Sequence, residues 1–241
     1  MCYHYSVKVN QRKLEDRFHV KFKPEAEFTP VYHTDGFAHN LMPVITADEP
    51  EAINLYIWGL IPHWVKTAAD AKKLSNQTLN ARGETIFDLP SFRQYVGKKR
   101  CLVLADGFYE WMHVGKEKYP HHIYMKDKEP FAFAGLYSHW KNPETDEILR
   151  TYTILTTDAN SLMRKIHNSK ERMPLILRPD MERMWLKPDL MKEEINNLIV
   201  PLEDDMLAAH TISKLITSRT ESSNQERVIE VCDYPELSTL L

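Results

Sequence analysis

Cys2 stands directly after the initiator methionine, in Met1-Cys2-Tyr3-His4. Once Met1 is removed, one residue carries a free α-amine and a thiol on adjacent carbons. Reference pKa values of about 7.7–8.0 for the amine and about 8.5 for the thiol leave both partly deprotonated near neutrality. The amine can condense with an aldehyde to a Schiff base, and the tethered thiolate can then close a five-membered thiazolidine. The same thiol could instead attack an amide. Cys2 therefore points to aldehyde capture or to acyl cleavage, set against a third reading as an inert thiol.

Three further segments hold groups that could serve either chemistry. Asn80-Ala81-Arg82-Gly83-Glu84 places an amide, a guanidinium and a carboxylate within one short run. Asn80 can hold a carbonyl or hydroxyl, and Arg82 can clamp a phosphate through two hydrogen bonds; an exposed turn is the plainer reading. Glu110 ends an apolar strand predicted over 100–111, where Leu102, Leu104, Asp106, Phe108 and Glu110 share one face by the period of two. Apolar surroundings raise a carboxyl pKa, which suits acid–base work, unless Glu110 simply emerges at an edge. His167 closes a predicted helix and is followed by Arg172-Met173-Pro174. It can act as acid or base near neutrality, or can interact with the helix dipole. Two stretches punctuated by proline, 40–43 and 58–64, offer Pro43, Trp58, Pro62 and Trp64 either as core or as loop residues that stack on bases.

The rest of the chain has to position these groups. It has 241 residues, 43% hydrophobic and 27% charged, which allows a sizeable core. No apolar run approaches the ~20 residues of a membrane span, and the first residues lack the apolar stretch of a signal peptide. Cys2, Cys101 and Cys232 are scattered, with no CxxC or HExxH. No disulfide framework, metal site or cofactor is expected, and a reducing cytoplasm is the natural compartment. The net charge of −3 excludes a protein that coats nucleic acid by bulk charge, so any such contact needs a local basic patch. Patterning predicts a short amphipathic helix running into an extended piece over 10–22, and helices over 65–75, 88–96, 158–166 (with Asp158 as N-cap), 179–187 and 189–199. Strands are predicted over 42–46, 53–60, 100–111, 120–126, 130–138, 149–157, 172–177 and 207–213, before a polar tail at 217–227. Strands in hairpin-like runs without a βαβ repeat point to an α+β single domain with a largely antiparallel, barrel-like sheet flanked by helices.

Taken together, these segments resemble the SOS response-associated peptidase family. The resemblance rests on Met1-Cys2, Asn40-x-x-Pro43, Trp58-Gly59-x-x-Pro62-x-Trp64, Asn80-Ala81-Arg82-x-Glu84-Thr85 and Ala105-Asp106-Gly107-Phe108-Tyr109-Glu110-Trp111. It continues through Thr156-Thr157-Asp158-Ala159-Asn160, His167 with Arg172-Met173-Pro174, and Ser213-Lys214, so it spans residues 2 to about 214. It implies a monomer that binds single-stranded DNA and crosslinks Cys2 to abasic sites, after cleaving away the residue before Cys2. By the same resemblance Asn80, Glu110 and His167 join Cys2 as catalytic residues. Arg82 would contact phosphate, with Arg172 and Lys214 also lining the DNA path, and Pro43, Trp58, Pro62 and Trp64 would shape it. Localisation would be cytoplasmic, with the nucleoid when bound to DNA. Two departures stand out. Tyr3-His4 replaces the common Gly-Arg, and four residues separate His167 from Arg172 where one is common. The competing readings are an N-terminal-nucleophile amidohydrolase, which would call for two stacked sheets between helix layers, and a non-catalytic DNA-binding module.

Overall fold

The computed structural model describes residues 2–237. In chain order the strands are β1 His4–Val7, β2 Lys21–Phe22, β3 Val31–Asp35, β4 Leu41–Thr46, β5 Ala52–Trp58, β6 Asn80–Arg82, β7 Arg100–Ala105, β8 Gly107–Val114, β9 Glu117–Met125, β10 Phe131–Lys141, β11 Ile148–Asp158, β12 Arg172–Pro174, β13 Ile176–Leu177 and β14 Leu207–Thr211. The helices are α1 Gln11–Phe18, α2 Ala68–Ser75, α3 Ser161–Ile166, α4 Pro179–Trp185 and α5 Lys192–Leu198. The architecture is α+β in a single domain, built on a largely antiparallel, barrel-like sheet.

The barrel arises because one sheet curls until its ends meet. Strands β5, β4, β7, β10 and β11 pair in that order. β11 then pairs back onto β5 in parallel, Thr151 opposite Ile57 and Tyr152 opposite Trp58. Closure leaves no open edge along this stretch. Gly135 on β10 shows how tight the wall is: a Cβ there would lie 2.8 Å from both Cys101 Sγ and the Thr153 carbonyl. This closed barrel differs from two stacked sheets between helix layers, the architecture expected of the amidohydrolase alternative.

A second sheet, ordered β14-β9-β8-β1-β3, packs beside the barrel. The run 100–111 supplies both sheets: β7 belongs to the barrel and β8 to the second sheet. The single strand expected there is therefore broken at Asp106. Its carboxylate accepts from Ser6 Oγ at 2.7 Å and from the Lys8 and Val9 amides at 2.6 and 3.0 Å. The corner is thus bolted to the residues around β1. From the other side, the buried Tyr5 and Tyr152 hydroxyls share a hydrogen bond of 2.7 Å, which ties β1 to the barrel.

Three local expectations change. Residues 88–96 form successive turns rather than a helix; Pro90 has no N–H to give, and Phe92, Tyr95 and Val96 fold inward as buried residues. The cap of α3 is Asn160, whose side chain accepts from the Met163 amide, rather than Asp158. Asp158 is instead drawn into an ion pair with Arg172. The polar stretch 217–227 is no loose tail. Asn224 Oδ1 accepts from the Tyr32 amide at 2.8 Å, and the neighbouring Val228 is fully buried beside Tyr109, Ile212 and Ile216.

Candidate active site

The site forms where β1, β6, β8 and the end of α3 meet. Cys2 lies just ahead of β1 and is fully buried. Its carbonyl accepts from Asn80 Nδ2 at 2.8 Å, and its thiol donates to the His4 carbonyl at 3.5 Å. Asn80 is placed by β6, which runs parallel to β11 with Asn80 opposite Ile154. Asn80 Oδ1 has no hydrogen-bond partner among the described residues. It is an acceptor held at the pocket, since a buried acceptor is costly to leave unmatched.

Glu110 arrives on β8. That strand pairs with β1, Tyr5 opposite Phe108, and the same register continued sets Glu110 opposite Tyr3. Burial pushes its carboxyl pKa up to about 8, because a charged carboxylate is disfavoured away from water. Burial also pushes the Cys2 thiol far up, and the Glu110 charge adds to that effect, so the two groups feel one another. His167 completes the cluster. Its Nδ1 lies 3.6 Å from Glu110 Oε1 and donates to the Arg172 carbonyl at 2.8 Å. A carbonyl can only accept, so the proton sits on Nδ1 and Nε2 keeps its lone pair. Burial lowers the His167 pKa to about 4. At neutral pH the pair therefore comprises a protonated carboxyl and a neutral imidazole, one acid and one base.

The four residues between His167 and Arg172 close a turn beside the histidine. The Glu171 amide bonds back to the His167 carbonyl at 2.9 Å, and Glu171 takes a left-handed φ of 51°. The insertion is spent as a turn that returns Arg172 to His167.

The residues expected along a DNA path divide in two. Arg82 is exposed, Trp64 is 44% exposed, and Lys214 is exposed with an ion pair to Glu117 at 3.0 Å. Pro43 and Pro62 are buried, and Trp58 is a fully buried core residue whose Nε1 donates to the Leu79 carbonyl. Those three are packed inside the fold rather than presenting a stacking face. Arg172 is buried too. Its guanidinium bonds to both Glu84 oxygens at 2.6 and 3.0 Å, to Asp158 at 2.7 Å and to the Thr156 carbonyl at 2.9 Å. It locks the β6 turn to β11 and β12 rather than lining an open groove. The sequence pattern did not single out His33, which joins His4 at 2.9 Å and Ser223 at 2.6 Å and so connects the first strand to the C-terminal stretch. With 11 histidines in the chain, nothing in sequence distinguished it. Among the described residues, no group of three or more His, Cys, Asp or Glu is arranged to hold a metal ion, and no helix is long and apolar enough to cross a membrane.

Comparison with known proteins identifies the family and the fold. The profile of the "SOS response associated peptidase (SRAP)" family matches residues 1–219. The abasic site processing protein YoqW of Bacillus subtilis is 35% identical over 226 residues, covering 92% of this chain and 97% of that protein. The abasic site processing protein HMCES of Pongo abelii is 30% identical, covering 90% of this chain and 68% of that one. A crystal structure of a protein from Bacteroides thetaiotaomicron superposes with a TM-score of 0.89 at 36% identity, covering 96% of this chain and all of that one. With the profile spanning nearly the whole fold, this chain belongs to the SOS response associated peptidase family.

Proposed function

We propose that this protein processes abasic sites in single-stranded DNA by forming a thiazolidine crosslink between Cys2 and the opened sugar. The observation that carries the reading is convergence. Asn80 bonds to the Cys2 carbonyl, the β1–β8 register continued sets Glu110 opposite the residue after Cys2, and His167 lies 3.6 Å from Glu110, although the four residues are far apart in sequence. The relatives named as abasic site processing proteins support the same substrate.

Met1 leaves first, by hydrolysis of the Met1–Cys2 peptide bond. His167 Nε2 takes the hydroxyl proton of the closed sugar and returns it to the ring oxygen as the sugar opens to its aldehyde. The Cys2 amine attacks that carbon. The Glu110 carboxyl then protonates the resulting hydroxyl, which departs as water and leaves an iminium. The Cys2 thiol attacks the iminium carbon, the C=N electrons return to nitrogen, and the thiol proton goes back to the Glu110 carboxylate. Atoms and charge balance, and Glu110 ends as it began. Asn80 holds the Cys2 carbonyl, so that amine and thiol approach from one fixed direction. Exposed Arg82 meets the DNA backbone.

Incubating Met1-free protein with abasic single-stranded DNA tests this. The expected product is a heat-stable adduct. Cys2→Ser should give only a Schiff base that needs borohydride to trap it. Protein with a blocked α-amine should give neither, and a stable adduct from it would rule out the ring mechanism.

A further inference from the structure

Beside the nucleophile lies an aromatic pair that the mechanism above does not use. Tyr3 follows Cys2 directly, and its ring centroid is 5.3 Å from that of Phe37, with the planes inclined by 31°. Phe37 is 53% exposed and Tyr3 is half-buried. A single exposed aromatic is ordinary; the way this pair is held is not. The Tyr3 carbonyl accepts from the Gly36 amide at 2.8 Å, and Asn80 fixes the preceding carbonyl. Asp35 caps the short turn Gly36–Ala38 by accepting from the Phe37 amide, and His39 closes it in a left-handed conformation. A Cβ at Gly36 would lie 3.2–3.3 Å from Leu79 and Trp58, so the turn rests directly on the barrel. The fold thus fixes the backbone beneath both rings, and Tyr3 stands one residue from the nucleophile.

We propose that Tyr3 and Phe37 form a ledge on which the nucleobase next to the abasic site stacks. This rests on the reading of Cys2 as the captor of an abasic sugar. An abasic nucleotide offers no base of its own, so stacking near the nucleophile must come from a neighbour. With the sugar bonded to Cys2, the rings of Tyr3 and Phe37 are the aromatic surface next along the chain from the nucleophile. Stacking on aromatic rings tolerates any sequence, because every base has a π-face. The ledge makes the protein selective for an abasic site with an intact base beside it, over one abasic site next to another.

The test compares oligonucleotides with one reactive abasic site and either a normal base or a tetrahydrofuran spacer on its 5′ or 3′ side. The apparent affinity is read from adduct formed against DNA concentration. For the wild type, a spacer on one side should weaken binding about tenfold, while a spacer on the other side should matter little. Phe37→Ala, and Tyr3→Ala with Met1 removal checked by mass, should lose that discrimination. Tyr3→Phe should keep it, and Phe37→Leu, apolar without a π-face, should lose it. Adduct formation by the wild type that is indifferent to both spacers, or alanine variants that discriminate as the wild type does, would overturn the ledge. Absence of any wild-type adduct would overturn the capture reading and the ledge's ligand with it.

Discussion

Asp106 and Glu110 are both buried carboxylates from one short segment, yet the fold uses them in opposite ways. At the sheet-crossing corner, Asp106 accepts two backbone N–H groups and the Ser6 hydroxyl, with the Lys8 ammonium 3.5 Å away. At the pocket, burial drives the Glu110 pKa up to about 8, and its near neighbour His167 is itself neutral. A buried charge that is solvated by the backbone holds structure together. One that is desolvated keeps its proton at neutral pH and can donate it. The two carboxylates were placed on one strand face by periodicity, and only the break at Asp106 separates their roles.

The largest expected effect is on Glu110. Glu110→Gln keeps the shape but removes the proton, and should slow adduct formation by about 10²–10⁴-fold, the usual worth of a general acid. Wild-type rate should peak near pH 8, where neutral Cys2 amine and protonated Glu110 coexist, and the variant should lose the alkaline fall. Stability should move the other way. The folded-state pKa lies above the ordinary 4.5, so the native state holds the proton more tightly. That contribution is fully present below pH 4.5 and is lost as pH rises through about 8. Above pH 8, Glu110→Gln should therefore be the more stable protein, by at most about 5 kcal/mol. Urea titrations at pH 5 and pH 9 read this directly; equal stability changes at both would mean that Glu110 is not desolvated.

Asp106→Ala should show the contrasting behaviour. It leaves buried donors unmatched and should lower stability by about 3 kcal/mol or more. If it instead folded as well as the wild type and only lost activity, the comparison between the two carboxylates would collapse.

Arg172→Met comes next. It removes the guanidinium from Glu84 and Asp158 but keeps the backbone carbonyl that fixes His167. Because those carboxylates are partly exposed, a loss of about 2 kcal/mol is expected, with an unchanged pH profile of adduct formation. A shifted profile would show that the side chain also tunes the pocket.

The smallest effect on stability belongs to Arg82→Ala, within about 0.5 kcal/mol because the residue is exposed. Its signature is electrostatic: the dependence of log affinity for single-stranded DNA on log salt should fall by about 0.7, the value for one phosphate left unneutralised. An unaltered slope would remove Arg82 from the DNA path.

Much of the fold was legible in the amino-acid sequence. The strands at 42–46, 120–126, 130–138 and 149–157 follow from β-branched and aromatic runs between turn residues, a local signal. The chemistry proposed for Cys2 was legible as one option, since loss of Met1 would leave an amine and a thiol on one residue. The split of 100–111 was not legible, because an apolar alternation reads the same whether a strand continues or bends. Nor was the burial of Trp58, Pro43, Pro62 and Arg172, since a proline-flanked aromatic or a basic residue looks alike in a loop and in a core.

The sequence by itself determined the types of group available, the period of most strands and the family pattern. Tertiary structure decided which groups meet and in what protonation state. Closure of β11 onto β5, the corner at Asp106 and the turn after His167 bring distant residues together. Burial, which no local window encodes, then raises Glu110 and lowers His167. A pKa reports the whole surroundings of an atom, and those surroundings exist only once the chain has folded.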